Sequence, residues 1–88
     1  MTLTYSRQAI DRIRGLPPDL KKSVRAALEG LVENAYSGKP LQRELAGFWS
    51  LRVQRYRIIY KILTEERRIL VYSLGRRERV YEDLAKSL

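Results

Sequence analysis

Apolar residues change their spacing along this chain, and each change of spacing predicts a change of backbone. Near the amino terminus Leu3 and Tyr5 alternate with Thr2 and Thr4, the period of two that a short strand requires. Ser6 follows as a helix cap, and Ala9, Ile10, Ile13 and Leu16 then share one face of a first helix, which Gly15 and the Pro17-Pro18 pair bring to an end. Pro18 suits the first turn of a second helix, where its missing N–H leaves no bond unmade. Leu20, Val24, Ala27, Leu28, Leu31 and Val32 recur along that helix at three- and four-residue spacings, with Lys21, Lys22, Arg25, Glu29 and Glu33 facing outward between them. Asn34, Gly38 and Pro40 mark an exit into a loop, so the first half of the chain reads as a strand and a helical hairpin.

From Gly47 the period returns to two. Trp49, Leu51 and Val53 alternate with Phe48, Ser50 and Arg52, and Gln54-Arg55 reads as a tight turn. The next strand, Tyr56 to Leu63, puts Tyr56, Ile58, Tyr60 and Ile62 on one face and Arg57, Ile59, Lys61 and Leu63 on the other. Thr64 to Arg68 is polar enough for a hairpin loop, and Ile69 to Leu74 supplies a last strand before Gly75. After the basic cluster Arg76-Arg77-Glu78-Arg79, Val80, Leu84 and Leu88 fall at four-residue intervals, which predicts a short terminal helix with Tyr81 near its start. A strand, two helices and three consecutive strands make an α+β fold, with the amino-terminal strand and helical hairpin packed on a mostly antiparallel sheet. Tyr56, Tyr60 and Trp49 are expected in packing roles, and the sheet face opposite the hairpin is expected to be left for a ligand.

The chain has 88 residues, which is enough for one core and one domain, spanning residues 1–88. Its apolar fraction of 44% falls in periodic runs, so the 32% of charged residues does not imply disorder. Cysteine and histidine are both absent, which excludes disulfides, thiolate nucleophiles, the usual neutral-pH base and the commonest metal ligands. No metal and no cofactor is expected. The amino terminus lacks the order of a secretory signal, and no apolar stretch approaches the roughly 20 residues of a membrane span, so a cytoplasmic protein without a membrane partner is expected.

The net charge of +8 points to a polyanion, because each phosphate neutralised by Lys or Arg releases counterions. Thirteen of the basic residues are Arg and five are Lys, and the guanidinium is the better phosphate fork. The surplus is larger after residue 46, where the aromatic and basic strands lie. Read from the residues alone, this is a basic sheet with Arg and Tyr near the ends of neighbouring strands, suited to phosphate contact and base stacking.

Three segments in order, Trp49-Ser50-Leu51-Arg52-Val53, Tyr56-Arg57-Ile58-Ile59-Tyr60-Lys61-Ile62 and Leu74-Gly75-Arg76-Arg77-Glu78-Arg79-Val80-Tyr81, resemble the core signature of the RelE/ParE toxin superfamily. The resemblance runs over the whole chain and implies a RelE-like fold. It also implies a toxin of a type II toxin-antitoxin system, a metal-independent endoribonuclease that cuts messenger RNA in the ribosomal A site and inhibits translation. In that chemistry a ribose 2′-hydroxyl attacks the adjacent phosphorus, so charge on the phosphate oxygens must be stabilised and protons moved at the two reacting oxygens. By position in the motifs, Arg57 is implied at the scissile phosphate, Arg77 beside the leaving group, and Tyr81 as the base or the group that orients the 2′-hydroxyl. Arg52, Arg55, Lys61, Arg76 and Arg79 are the expected RNA contacts. The implied partners are a cognate antitoxin, in a toxin-antitoxin hetero-oligomer, together with the ribosome and its message.

The sequence departs from the ribonuclease branch at Phe48-Trp49-Ser50, where the best-known members carry lysines, and Arg52 or Lys61 is the expected substitute. That departure keeps two alternatives in play: a ParE-like inhibitor of DNA gyrase, and an inactive member that binds antitoxin as a co-repressor. The ordinary role for Arg57 is a solvated cross-strand partner of Glu65 or Glu78, and for Arg77 a member of a solvated charge run. For Tyr81 it is packing on the sheet. Arg7, Arg12, Arg14, Lys21, Lys22 and Arg25 are expected on a solvated helical face.

Overall fold

Ser6 turns the chain from strand to helix as its side chain predicts. In the computed structural model, which describes residues 1–87 apart from the side chains of Arg77, Glu78 and Ser87, β1 (Thr2–Tyr5) leads through Ser6 into α1 (Arg7–Arg14). The Ser6 Oγ accepts from the Ala9 N–H at 3.1 Å and donates to the Tyr72 carbonyl at 2.6 Å, so one hydroxyl both caps the helix and ties it to the sheet. α2 (Pro18–Glu33) begins at the proline turn and completes the hairpin. Then come β2 (Lys39–Pro40), β3 (Trp49–Val53), β4 (Tyr56–Leu63), β5 (Arg68–Arg76) and α3 (Arg77–Ser87).

The sheet order is β1-β5-β4-β3-β2, antiparallel except for the parallel pair β1 and β5. Two elements differ from the sequence reading. The segment expected as a loop contains β2, where Lys39 and Pro40 pair with Ser50 and Trp49; a proline is tolerated there because β2 is an edge. β5 runs beyond Ile69–Leu74 at both ends and takes Arg68 from the expected loop, since Thr2 pairs with Arg68 and Tyr56 with Arg76. Leu88 lies outside the described residues.

One face of the sheet packs on the helical hairpin. Leu20, Val24, Leu28 and Leu31 of α2 meet Val53, Ile58, Tyr60, Ile69, Val71 and Leu74, with Ala9 of α1 among them. Val32, grouped by spacing with these residues, is 41% exposed: it lies roughly 100° around the helix from Leu31 and turns out of the stripe. Tyr60 is fully buried, and its hydroxyl donates to the Ala35 carbonyl at 2.8 Å and accepts from the Gly38 N–H at 3.2 Å. Burial raises its pKa above the ordinary tyrosine value, and the Gly38 N–H draws it partly back.

The other face is not left empty as expected. α3 lays Val80 and Leu84 on Phe48 and Ile59, and Leu41, Leu45, Tyr72 and Tyr81 pack around this smaller core. A bulge decides which β5 residues point there. Ile59 pairs with Ser73 but Tyr60 pairs with Val71, so the register steps over Tyr72 and the alternation of β5 changes phase. Leu74 therefore follows Val71 onto the hairpin face, and Gly75 falls opposite Arg57 on the α3 face.

Candidate functional site

The β3–β4 hairpin brings Arg52 and Arg57 directly opposite each other. Directly paired residues of an antiparallel ladder lie about 5 Å apart at Cα and point to the same face. Ser50 pairs with Ile59 in the same ladder, so both arginines share the face that α3 covers farther along. Arg57's second neighbour across the ladder is Gly75, which has no side chain to contribute. Among the described residues neither guanidinium forms an ion pair; of the two partners expected for Arg57, Glu65 is in the loop at the far end of β4 and the Glu78 side chain lies outside the described residues. Arg52 Nε is held by the Gln54 carbonyl at 3.1 Å, which leaves the outer nitrogens of its fork available. Like charges directly opposite each other cost about 0.2–1 kcal/mol of sheet stability. An anion bound between them would reverse the sign of that interaction, with two forks on one phosphate.

Tyr81 reaches this face from α3. Its hydroxyl shares a 2.9 Å hydrogen bond with Ser50 Oγ, and Ser50 is 4% exposed. Ser50 precedes Arg52 by two residues on the same side of β3, about 7 Å along the strand. The structure therefore puts a hydroxyl pair next in line to an arginine pair. Ser50 was missed as a site residue, although its alternation in phase with Arg52 was visible in the sequence; what was missing was knowledge that α3 ends up above it.

The other expected contacts divide. Arg55 is exposed at the β3–β4 turn and lines a shallow depression with Arg52, Gln54 and Arg57. Lys61 is on the arginine face but four residues along β4 from Arg57, about 13 Å, with its ammonium 4.5 Å from the Phe48 ring centroid. Arg76 pairs with Tyr56 and so belongs to the hairpin face, where it and the exposed Arg79 border a groove with Arg12, Tyr56 and Asp83. The expected set is thus split between two places. Arg77 is the first residue of α3, and its side chain lies outside the described residues. Trp49 packs against the hairpin core, stacked on Tyr60 with ring centroids 6.3 Å apart, as its alternation implied. Arg12, expected on a solvated face, instead hydrogen-bonds to Asp83 of α3.

Comparison with known proteins agrees with this architecture. Residues 3–81 match the family described as the ParE toxin of type II toxin-antitoxin systems. Toxin RelG of Mycobacterium tuberculosis is 35% identical over an alignment that covers 72% of this chain and 83% of RelG. In the RelBE2 toxin-antitoxin complex of the same organism, one chain superposes with a TM-score of 0.79 at 32% identity, covering 86% of this chain and 96% of its own. The intact RelBE complex of E. coli gives 0.76 at 20% identity, over 89% and 98%, a likeness of fold.

Proposed function

The chain belongs to the RelE/ParE superfamily of type II toxin-antitoxin toxins, and from that membership we propose that it is a metal-independent endoribonuclease acting on messenger RNA in the ribosome. The observation that carries this reading is the Arg52–Arg57 pair, without an acidic partner among the described residues, on the same sheet face as the Tyr81–Ser50 hydroxyl pair.

Cleavage forms a bond from the ribose 2′-oxygen to phosphorus and breaks the bond to the 5′-oxygen of the next nucleotide. One proton leaves the 2′-hydroxyl, one reaches the departing oxygen, and a 2′,3′-cyclic phosphate remains. Arg57 and Arg52 stabilise the charge on the non-bridging oxygens, the largest single contribution such a site can make. Tyr81, held by Ser50, orients the 2′-hydroxyl or takes its proton. Arg77 supplies charge beside the leaving oxygen, and Arg55, Lys61, Arg76 and Arg79 hold the flanking strand. Ribosomal positioning of the message adds the alignment that a small basic face lacks. Action on translating ribosomes implies the cytoplasm, and among the described residues no helix is long and apolar enough to cross a membrane.

The proposed partner is a cognate antitoxin, as in the RelBE2 complex of the similar mycobacterial toxin. A groove between β1 and the helical hairpin offers it an apolar lining of Leu3, Ile10, Ile13 and Val24 beside the cations Arg14 and Lys21.

Toeprinting of a translated message with the purified protein tests the enzyme reading, with Arg57→Ala and Tyr81→Phe beside the wild type. Ribosome-dependent cuts that are strongly weakened, with a measurable residue, in both variants are the expected result. A folded wild type that leaves the message intact would move the assignment to gyrase inhibition. That second reading draws on the ParE family match and on Phe48-Trp49-Ser50 in place of lysines, and gyrase-dependent DNA damage is its signature.

A further inference from the structure

Arg12 reaches from α1 across the end of β5 to α3. Its Nη1 donates to the Leu74 carbonyl at 2.8 Å and to Ser73 Oγ at 3.4 Å, and its Nη2 donates to Asp83 Oδ2 at 3.1 Å. Gly75 leaves room for this crossing: a Cβ there would stand 3.1 Å from Arg12 Nη1 and 3.3 Å from Val80 Cβ. One guanidinium therefore grips the end of β5 and the helix that follows it.

The residues of α3 explain what the grip does. At roughly 100° per residue, Val80 and Leu84 form the stripe that faces the sheet, while Tyr81 and Asp83 lie roughly 80° to either side of it. Apolar contacts resist lifting of the helix more than rolling about its own axis, because they are non-directional. Directional contacts set the roll, and among the described residues α3 has one on each flank of its stripe: Asp83 to Arg12 and Tyr81 to Ser50. We propose that Arg12 is a positioning residue that fixes the roll of α3 and so holds the Tyr81 hydroxyl beside Ser50, next to the Arg52–Arg57 pair. Its effect on activity rests on the ribonuclease reading; its effect on the place of Tyr81 does not.

A double-mutant cycle tests this. Rate constant at saturation and half-saturating ribosome concentration are measured for Arg12→Ala, Tyr81→Phe and the double variant. The ring signals of Tyr81 are followed by NMR of tyrosine-labelled protein, assigned through Tyr81→Phe. Arg12→Ala should lower the saturated rate about tenfold with half-saturation within about twofold, since a small misplacement of a reacting group has effects of that order or more. In the Tyr81→Phe background the same substitution should change the rate less than about twofold. Asp83→Ala, which leaves Arg12 its carbonyl bond, should act in the same direction more weakly and serves if Arg12→Ala does not fold. An equal factor in both backgrounds, or Tyr81 signals that do not shift in either variant, overturns the proposal. If wild type does not cut RNA the ribonuclease reading fails, and the Tyr81 signals still decide the role of Arg12.

Discussion

Tyr60 and Tyr81 lie on opposite faces of the sheet, and their hydroxyls are held in opposite ways. On the hairpin face Tyr60 is enclosed in the larger core and bonded only to backbone, the Ala35 carbonyl and the Gly38 N–H. On the α3 face Tyr81 is half-buried over the smaller core and bonded to another side-chain hydroxyl, in line with two arginines that have no acidic partner among the described residues. The same residue type is spent on architecture where its hydroxyl is saturated by the main chain. The ribonuclease reading assigns chemistry to the tyrosine whose bond partner is a hydroxyl that can exchange roles as donor and acceptor.

The largest test of that contrast is Arg57→Ala. Loss of one charge-stabilising donor should reduce ribosome-dependent cleavage by about 10²- to 10³-fold. Denaturant stability should be unchanged, or raised by a few tenths of a kcal/mol as the cross-strand repulsion with Arg52 disappears. A comparable loss of stability would make Arg57 an architectural residue after all.

On the opposite face the expected effects are on folding. An added Cβ at Gly38 would lie 2.5 Å from the Tyr60 hydroxyl and 2.6 Å from the Ser50 carbonyl oxygen, so Gly38→Ala should cost about 3 kcal/mol in urea unfolding. Tyr60→Phe strands the buried Ala35 carbonyl and the half-buried Gly38 N–H and should cost about 2 kcal/mol at neutral pH. Its pH dependence has a definite sign. The folded-state pKa of Tyr60 is raised by burial, so its contribution is complete below the unfolded value of about 10 and is lost as pH rises through the folded value. Above about pH 10 the wild type should lose stability faster than Tyr60→Phe, and parallel curves would contradict the assignment.

The smallest effect belongs to Ser50→Ala, which removes the partner of Tyr81 but no charge. About a fivefold fall in cleavage is expected, near 1 kcal/mol, with Tyr81→Phe abolishing any further response to it. Additive losses from the two substitutions would separate Ser50 from Tyr81 and leave the serine as packing.

Much of this was legible from periodicity because burial acts on the same residues that set it. The Ser6 cap, the proline turn, the α2 stripe and the Trp49-Leu51-Val53 alternation all hold, each depending on neighbours within a few positions. The arginine pair was half legible: Arg52 and Arg57 were assigned to strands joined by a two-residue turn, and such a turn pairs them. Val32, β2 and the crowded α3 face were misread because each depends on what packs from elsewhere in the chain.

Local pattern, charge and motif order thus determined the element types, the helix cap and turns, the basic character and the superfamily. Tertiary structure alone decided the bulge at Tyr72 that faces Gly75 toward Arg57, the return of α3 onto Ile59, the Ser50–Tyr81 bond and the Arg12–Asp83 link. Residues 31 and 71 positions apart form those last two contacts. Side chains that meet only after the sheet has closed leave no periodic trace in the sequence, because periodicity records the surface each element buries and not the partner that covers it.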